Sequence, residues 1–411
     1  MSVTRTMRAK DKTPKSSLAE VFWVFLRLGL SSFGGPVAHL AYFREECVRR
    51  RAWLSDEAYT EIVALCQFLP GPASSQVGIA LGFHRGAYAG SLLAWLGFTL
   101  PSAIFMLMLA WILPRGEQLP QMFPVLHGLT LLAVAIVAQA VWDLGRKFCT
   151  RKISLGIMLT AAVCSGLWPV SGTQLLVLSL SGAVGALWLR SDHRTGADQK
   201  LESPSPKVGL GCLLIFSALL ILLPLLRQAF STSGFLLADI FYRTSALVFG
   251  GGHVVLPLLE SQLRSVSGLE APQFLAAYAA VQAMPGPLFS IAAYLGASLG
   301  GGEPHLWGGV IALLAIFTPA VLLVWGTLPF WQRVRVHSQA QAVMAGIHAG
   351  VVGLLLAAWY QFLWRESIQG AGDIVWVCLA GFALLSQRFA VWQLVLLTIL
   401  VFALAGPGFH W

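Results

Sequence analysis

The sequence is poor in charge, and this excludes an ordinary soluble domain. Of its 411 residues, 11% are charged and 57% are hydrophobic, whereas soluble domains carry about 25% charged residues. Apolar runs recur over nearly the whole chain, which predicts an all-α, polytopic membrane protein embedded in a lipid bilayer. A soluble fold would have to bury every one of those helices.

The chain also lacks the short motifs of common enzymes. It contains no HExxH, GxSxG, Walker A or dinucleotide-binding sequence, so we predict no enzyme and no cofactor. Its six cysteines form no CxxC pair, so neither a metal site nor a disulfide framework is predicted. The net charge of +9 is better explained by loop cations that set membrane topology than by nucleic-acid binding. Transport energy would then come from ion gradients or the membrane potential.

A Pro-Gly-Pro sequence interrupts two of the apolar runs. Gln67-Phe68-Leu69-Pro70-Gly71-Pro72 returns as Gln282-Ala283-Met284-Pro285-Gly286-Pro287. Proline lacks an N–H and disfavours helix at the preceding residue, and glycine permits positive φ. Each sequence therefore predicts a broken helix, whose freed backbone must face protein or a polar cavity.

The two breaks belong to a longer internal repeat. Phe25–Gly35 aligns with Phe241–Gly251 at nearly the same offset as the two breaks, and each segment ends in Phe-Gly-Gly. The polar stretch 191–207 divides the halves. We predict five parts: a basic cytoplasmic tail 1–17, an N-terminal transport repeat 18–190, a cytoplasmic linker 191–207, a connecting transmembrane helix 208–233 and a C-terminal transport repeat 234–411.

Loop cations predict that the two repeats have inverted topology. If 18–50 and 58–83 are helical hairpins, the cations of the outer loops are Arg115, Arg227, Arg264 and Arg365, and most of the others are cytoplasmic. The connecting helix then crosses alone, so the second repeat enters from the opposite face. Inverted repeats with broken helices indicate a secondary-transporter site at their interface.

Arg27 and Arg243 occupy matching repeat positions inside apolar segments. A mid-depth arginine costs at least about 2.5–3.5 kcal/mol, and its fork suits the paired oxygens of an oxyanion. Two alternatives stay open: the side chains snorkel to the interface, or they pair with a carboxylate such as Asp239 or Glu20.

The helix starts that follow the breaks predict further anion-binding groups. Their first N–H groups are unpaired and carry the positive end of the helix dipole, although the serines there can equally be simple caps. The predicted substrate-binding residues are Arg27, Gly34, Gly35, Gln67, Pro70, Gly71, Ser74, Ser75, Arg243, Gly250, Gly251, Gln282, Pro285, Gly286 and Ser290. Candidates for proton coupling are His39, His253 and Glu61, each also explained as an interfacial charge or a satisfied helix contact.

This motif set resembles the chromate ion transporter superfamily in its long, two-domain form. The resemblance rests on Phe25–Gly35 with Arg27, on Leu69–Pro72, on Phe249-Gly250-Gly251 and on Met284–Pro287. It implies a multi-pass protein of the bacterial inner membrane that exports chromate and confers chromate resistance. Alternatives are an uptake carrier for sulfate or another oxyanion, a passive anion channel and a membrane enzyme. The direction, the coupling ion and a homodimeric state are left open.

Overall fold

The computed structural model describes residues 17–33, 35–112, 123–168, 171–189, 201–230, 232–248, 259, 262–263, 271–299, 304–364, 367–386, 388–389 and 391–405. Over these ranges the chain forms helices and turns, without a strand. The helices before the connecting segment are α1 Leu18–Ser31, α2 Gly35–Phe43, α3 Asp56–Phe68, α4 Ala73–Ile112, α5 Phe123–Phe148, α6 Lys152–Leu167 and α7 Ser171–Trp188. A π-helix, Arg44–Arg50, continues α2.

The connecting helix and the second half contain the remaining helices. These helices are α8 Pro206–Ala229, α9 Ser233–Leu247, α10 Ala271–Ala283, α11 Ile291–Ser298, α12 Leu306–Thr327, α13 Trp331–Val336, α14 Ser338–Ala358, α15 Ala371–Leu385 and α16 Val391–Ala405. Short 3-10 turns precede α11 (Leu288–Ser290) and α13 (Leu328–Phe330), and a π-helix, Trp359–Trp364, follows α14.

Within the ranges given above, five helical stretches are long and apolar enough to cross a membrane: Ala73–Ile112, His127–Phe148, Pro206–Ala229, Leu306–Val334 and Ser338–Ala358. The prediction of an all-α polytopic membrane protein is confirmed. Among these spans α8 is the most peripheral, because it buries only Gly209, Cys212 and Leu223. At 1.5 Å per residue α8 is about 36 Å long, which is enough to cross a bilayer. Its other side chains are not buried, which suits a lipid-facing helix.

The helix breaks fall where the sequence predicts them. α3 begins at a Ser55 cap, whose side chain accepts the Ala58 N–H at 3.2 Å, and ends at Phe68, just before Leu69-Pro70. Proline disfavours helical backbone at the residue before it, so the chain leaves the helix there. A new helix, α4, starts at Ala73 directly after Pro72.

α4 is a helical hairpin, because its backbone reverses at Gly86 and Ala87 (φ 50°, ψ −140°). Its two arms touch at Gly82 and Gly90: a Cβ at Gly82 would lie 2.3 Å from the Gly90 carbonyl oxygen. The second repeat has the same close contact, with a Cβ at Gly296 lying 2.4 Å from the carbonyl oxygen of Gly308. Glycine at all four positions allows the arms to pack backbone to backbone, as small residues do in membrane helices.

The outer helices of the two repeats are exchanged. α5 of the first repeat packs against α15 and α16 of the second, while α14 of the second packs against α6 and α7 of the first. At the second of these contacts Gly346 and Gly185 bring their backbones together, with a Cβ at Gly346 meeting the Cα of Gly185 at 2.8 Å. The two sets of helix contacts are reciprocal, because α5 packs on the second repeat as α14 packs on the first. A local two-fold axis produces such reciprocity.

Candidate functional site

Each Pro-Gly-Pro turn is bonded to the opposite repeat. The Gly71 N–H donates to the Val248 carbonyl at 2.6 Å, and the Gly286 N–H donates to the Ser32 carbonyl at 3.2 Å. Ser32 follows α1 and Val248 follows α9, and the two residues match in the internal repeat. The same bond therefore occurs twice with the repeats exchanged, which places the two turns about one local two-fold axis.

Both turns require glycine at their centre. The φ angles are +112° at Gly71 and +102° at Gly286, a region that side-chain-bearing residues rarely adopt. The neighbouring helix is also close: a Cβ would lie 3.7 Å from the Ser245 carbonyl oxygen at Gly71, and 3.5 Å from the Gly29 carbonyl oxygen at Gly286. Ser245 and Gly29 are again matching positions.

Buried hydroxyls lie in the first turn after each break. Ser75 is 1% exposed and Ser290 is fully buried, and neither Oγ has a hydrogen-bond partner within the described part of the chain. Ser74 is buried beside Ser75. An unpartnered buried hydroxyl costs about 1–3 kcal/mol, so two at matching positions call for an explanation other than packing. They lie at the positive ends of α4 and of the α11 segment.

Sequence reasoning missed several polar groups near the same turns. The Ser245 Oγ lies 3.7 Å from the Cβ position of Gly71, and the Ser102 Oγ lies 2.9 Å from that of Gly286. Gln76 donates from Nε2 to the Pro70 carbonyl at 2.6 Å, which leaves its buried Oε1 without a partner among the described residues. The available signal was a polar side chain inside an apolar helix next to an identified break.

His39 connects the first Gly-Gly region to the second Pro-Gly-Pro turn. Its Nε2 lies 3.2 Å from the Ser32 carbonyl, and because a carbonyl can only accept, Nε2 carries the proton. The Ser32 carbonyl thus receives both His39 and the Gly286 N–H. The neutral ring presents an Nδ1 lone pair, which is buried and lacks a partner within the described ranges.

The two intramembrane arginines have different surroundings. Arg243 donates from Nε to the Asp239 Oδ1 at 3.1 Å and pairs with its other oxygen, to which Arg227 also donates at 3.3 Å. Asp239 is fully buried, so this carboxylate pairing is the alternative considered for Arg243. Arg27 lies on the exposed face of α1. A substrate role for either arginine stays a prediction.

The structure places the remaining predicted residues in different surroundings. Gln67 is exposed and accepts Lys147 Nζ at 3.1 Å, whereas Gln282 is 8% exposed and donates to the Tyr278 hydroxyl at 3.1 Å. Glu61 accepts the Trp331 indole N–H at 3.1 Å. Gly35 begins α2 with φ +76°. The predicted residues Gly34, Gly250, Gly251 and His253 lie outside the described residues.

A family model described as chromate transporter matches residues 19–186 and 235–407. This chain belongs to the chromate transporter family. The two matched segments are consistent with two repeats, each holding one Pro-Gly-Pro turn, and α8 lies between the segments. The family is one of transporters rather than enzymes.

Individual relatives are similar over most of their length. The chain is 26% identical over 98% of both chains to an uncharacterized transporter of Methanocaldococcus jannaschii. It is 28% identical to a probable chromate transport protein of Synechococcus elongatus, over 84% of each chain. It is 27% identical to the chromate transport protein of Cupriavidus metallidurans, over 84% of this chain and 82% of that one. No solved structure matches the chain.

Proposed function

We propose that this chain is a chromate carrier of the bacterial inner membrane, which exports chromate and confers chromate resistance. The observation that carries the proposal is the pair of interlocked Pro-Gly-Pro turns. Each turn is bonded to the opposite repeat and followed by a buried hydroxyl, Ser75 or Ser290, without a partner in the described part of the chain. The relatives named as chromate transport proteins supply the identity of the anion.

Chromate is a tetrahedral dianion whose oxygens only accept hydrogen bonds, so its site must offer donors. Hydroxyls and backbone N–H groups at two helix N-termini are such donors, and the helix dipoles favour negative charge there. In a site sheltered from water these uncharged groups act strongly. The substrate therefore lies between the turns, where donors from both repeats reach it.

The arginines contribute charge at a distance. The partly exposed Arg227 and Arg243 both pair with the buried Asp239, and two cations with one anion leave this group a net positive charge. That charge favours an anion in the same low-dielectric interior. Arg27, on the exposed face of α1, remains the second proposed cation.

The backbone bonds at the site favour a carrier over a channel. Gly71 N–H to Val248 and Gly286 N–H to Ser32 tie the repeats together on both sides of the local axis. Breaking and reforming these two bonds alternately would open the site to one face at a time, which is the rocking motion of repeat-based carriers.

Flux into proteoliposomes tests this function. Labelled chromate is followed with imposed pH and voltage gradients, and sulfate serves as a competitor. We expect saturable chromate flux that is accelerated by chromate on the opposite side. A flux that does not saturate and shows no such counterflow would identify a channel, and a preference for sulfate would identify a sulfate carrier.

Expression in a chromate-sensitive bacterium tests the direction. We expect lower cellular chromate and better growth in chromate than in cells with an empty vector. Higher accumulation and poorer growth would show that the chain is an uptake carrier.

A further inference from the structure

A groove opens between α6 and α7 on the outside of the helix bundle. It has a volume of about 730 Å³ and is lined mainly by apolar side chains. Ile153 and Trp168 of α6 and Leu176 and Leu180 of α7 form its walls, and they are between 40% and 61% exposed. In a helical membrane protein, exposed apolar side chains of this kind face the lipid.

The packing of α14 explains why the groove exists. α6 and α7 each pack more extensively on α14 than on each other. Glycines of α14 allow this close approach: a Cβ at Gly350 would lie 2.4 Å from the Ser181 Oγ of α7, and one at Gly353 would lie 2.7 Å from the Ala161 Cβ of α6. Ser181 and Ala161 also line the groove, so its floor lies on α14.

The groove is longer than one lipid leaflet is thick. From Ile153 to Trp168, α6 extends about 22 Å at 1.5 Å per residue. Each leaflet contributes about 15 Å to a hydrocarbon core that is about 30 Å thick. A phospholipid acyl chain that lies along α6 is therefore accommodated over its whole depth in the leaflet.

Two cations lie at one end of the groove. Arg151 and Lys152 directly precede Ile153, and both are exposed. Ser154 fixes the backbone there, because its hydroxyl accepts the Arg151 N–H at 3.1 Å and donates to the Arg151 carbonyl at 2.9 Å. The loop charges predict that this end is cytoplasmic, and anionic lipids of the cytoplasmic leaflet attract lysine and arginine.

We propose that this groove binds an anionic phospholipid of the cytoplasmic leaflet, with an acyl chain between α6 and α7 and the phosphate beside Arg151 and Lys152. The inference is independent of the transported anion. A second copy of the chain suits the groove less well: in a two-fold dimer within the membrane, the same cations of both copies would lie at the same depth and repel each other. Because α14 belongs to the second repeat, the bound chain contacts both repeats and should stabilise their exchanged packing.

Gly156 provides a way to fill the groove without disturbing the packing. It lines the groove, and a Cβ there would meet no described atom within 4 Å. Gly156→Leu therefore places a side chain in the groove, and leucine also favours a helix more than glycine does. Gly211 of α8 is equally open and lies outside the groove, so Gly211→Leu is the matched control.

A double variant, Arg151→Gln with Lys152→Gln, removes the cations. Its control is Lys207→Gln with Arg388→Gln, which removes two exposed cations that the loop charges place on the same side of the membrane. This control separates a defined headgroup site from a general attraction between a basic surface and anionic lipid.

Native mass spectrometry of the full chain in neutral detergent measures the binding of phosphatidylglycerol and of phosphatidylcholine with the same acyl chains. We expect the wild type to bind phosphatidylglycerol about 30-fold more tightly, as for two cations beside an anionic headgroup, and to unfold at a higher temperature when it is bound. Arg151→Gln with Lys152→Gln should remove this preference without changing the affinity for phosphatidylcholine. Gly156→Leu should lose both lipids, and both controls should behave as the wild type.

Wild-type binding of phosphatidylglycerol by Gly156→Leu would overturn the inference, because no chain then occupies the groove. An equal loss of preference in the Lys207 and Arg388 control would overturn it too, and a dimer that only Gly156→Leu dissociates would identify a second copy as the occupant. Without lipid, Gly156→Leu should unfold at or above the wild-type temperature, which separates loss of lipid from loss of fold. Chromate takes part in none of these measurements, so the proposed function fails or succeeds separately.

Discussion

Removing the hydroxyl of Ser290 should raise stability and lower transport. This side chain is fully buried and its Oγ has no partner among the described residues, a situation that costs about 1–3 kcal/mol. Ser290→Ala removes that cost, so we expect unfolding to become less favourable by about 1 kcal/mol. A hydrogen bond to a charged ligand contributes about 1.5–3 kcal/mol, which predicts a KM for chromate roughly 10- to 150-fold higher.

Two serines provide matched controls. Ser298, at the other end of α11, is also buried and has an unpartnered Oγ within the described ranges, so Ser298→Ala should stabilise the protein without changing the KM. The Ser91 hydroxyl donates to the Ile79 carbonyl at 2.9 Å and accepts the Trp325 indole N–H at 3.1 Å. Ser91→Ala should therefore destabilise it by about 1–3 kcal/mol, since a buried donor loses its partner.

The assays are thermal unfolding in detergent and the concentration dependence of chromate flux in proteoliposomes. The reasoning is refuted if Ser290→Ala stabilises the protein and leaves the KM unchanged, because the hydroxyl then has no substrate to bind. It is equally refuted if Ser290→Ala destabilises the protein as much as Ser91→Ala does.

Three further predictions concern the turns, the buried ion pair and the histidine. Gly286→Ala should cost about 2–5 kcal/mol, combining positive φ with overpacking against the Ser102 side chain 2.9 Å away. Gly71→Ala should cost less, because beside the roughly 1–2 kcal/mol from φ its Cβ is crowded only by the end of the Gln76 side chain, at 3.1 Å; equal losses in thermal unfolding would contradict this. Asp239→Asn should destabilise the fold by about 3–5 kcal/mol, and adding Arg243→Gln should restore part of it; a double variant no more stable than the single one would argue against the pairing. If His39 carries a coupled proton, His39→Gln should make chromate flux insensitive to an imposed pH gradient, and a flux that still follows the gradient would exclude that role.

The helix breaks and the repeat could be predicted from sequence because they are local properties. Proline and glycine restrict the backbone wherever they stand, so the ends of α3 and α10 follow from the residues themselves. The repeat is visible because both copies retain Pro-Gly-Pro and a preceding glutamine. These features located the turns without any knowledge of what packs on them.

The partners of the polar side chains could not be predicted in this way. Arg243 is four residues after Asp239 on one helix, so the ion pair was one of two open alternatives, and Arg227 joins it from another helix. Lys147 contacts Gln67 although the two are 80 residues apart in the sequence, and no local pattern indicates that contact. Tertiary packing alone decides which partners these charged side chains contact.

The two repeats match in backbone and differ in polar side chains, and this combination is suited to a carrier. The exchanged backbone bonds at Gly71 and Gly286 tie each turn to the opposite repeat in the same way. The polar side chains differ between the repeats. The third residue caps the helix in both α6 and α15, but it is Ser154 in the first repeat and Asp373 in the second.

His127 bonds only to the second of these caps, at 2.8 Å from the carboxylate. A serine is sufficient to cap α6, so the carboxylate at the matching position adds an interaction with His127 that capping alone does not require. Under the proposed carrier function, the matching backbone bonds would allow alternation and the unequal side-chain contacts would favour one of the two states, because a two-state equilibrium shifts only through differential contacts.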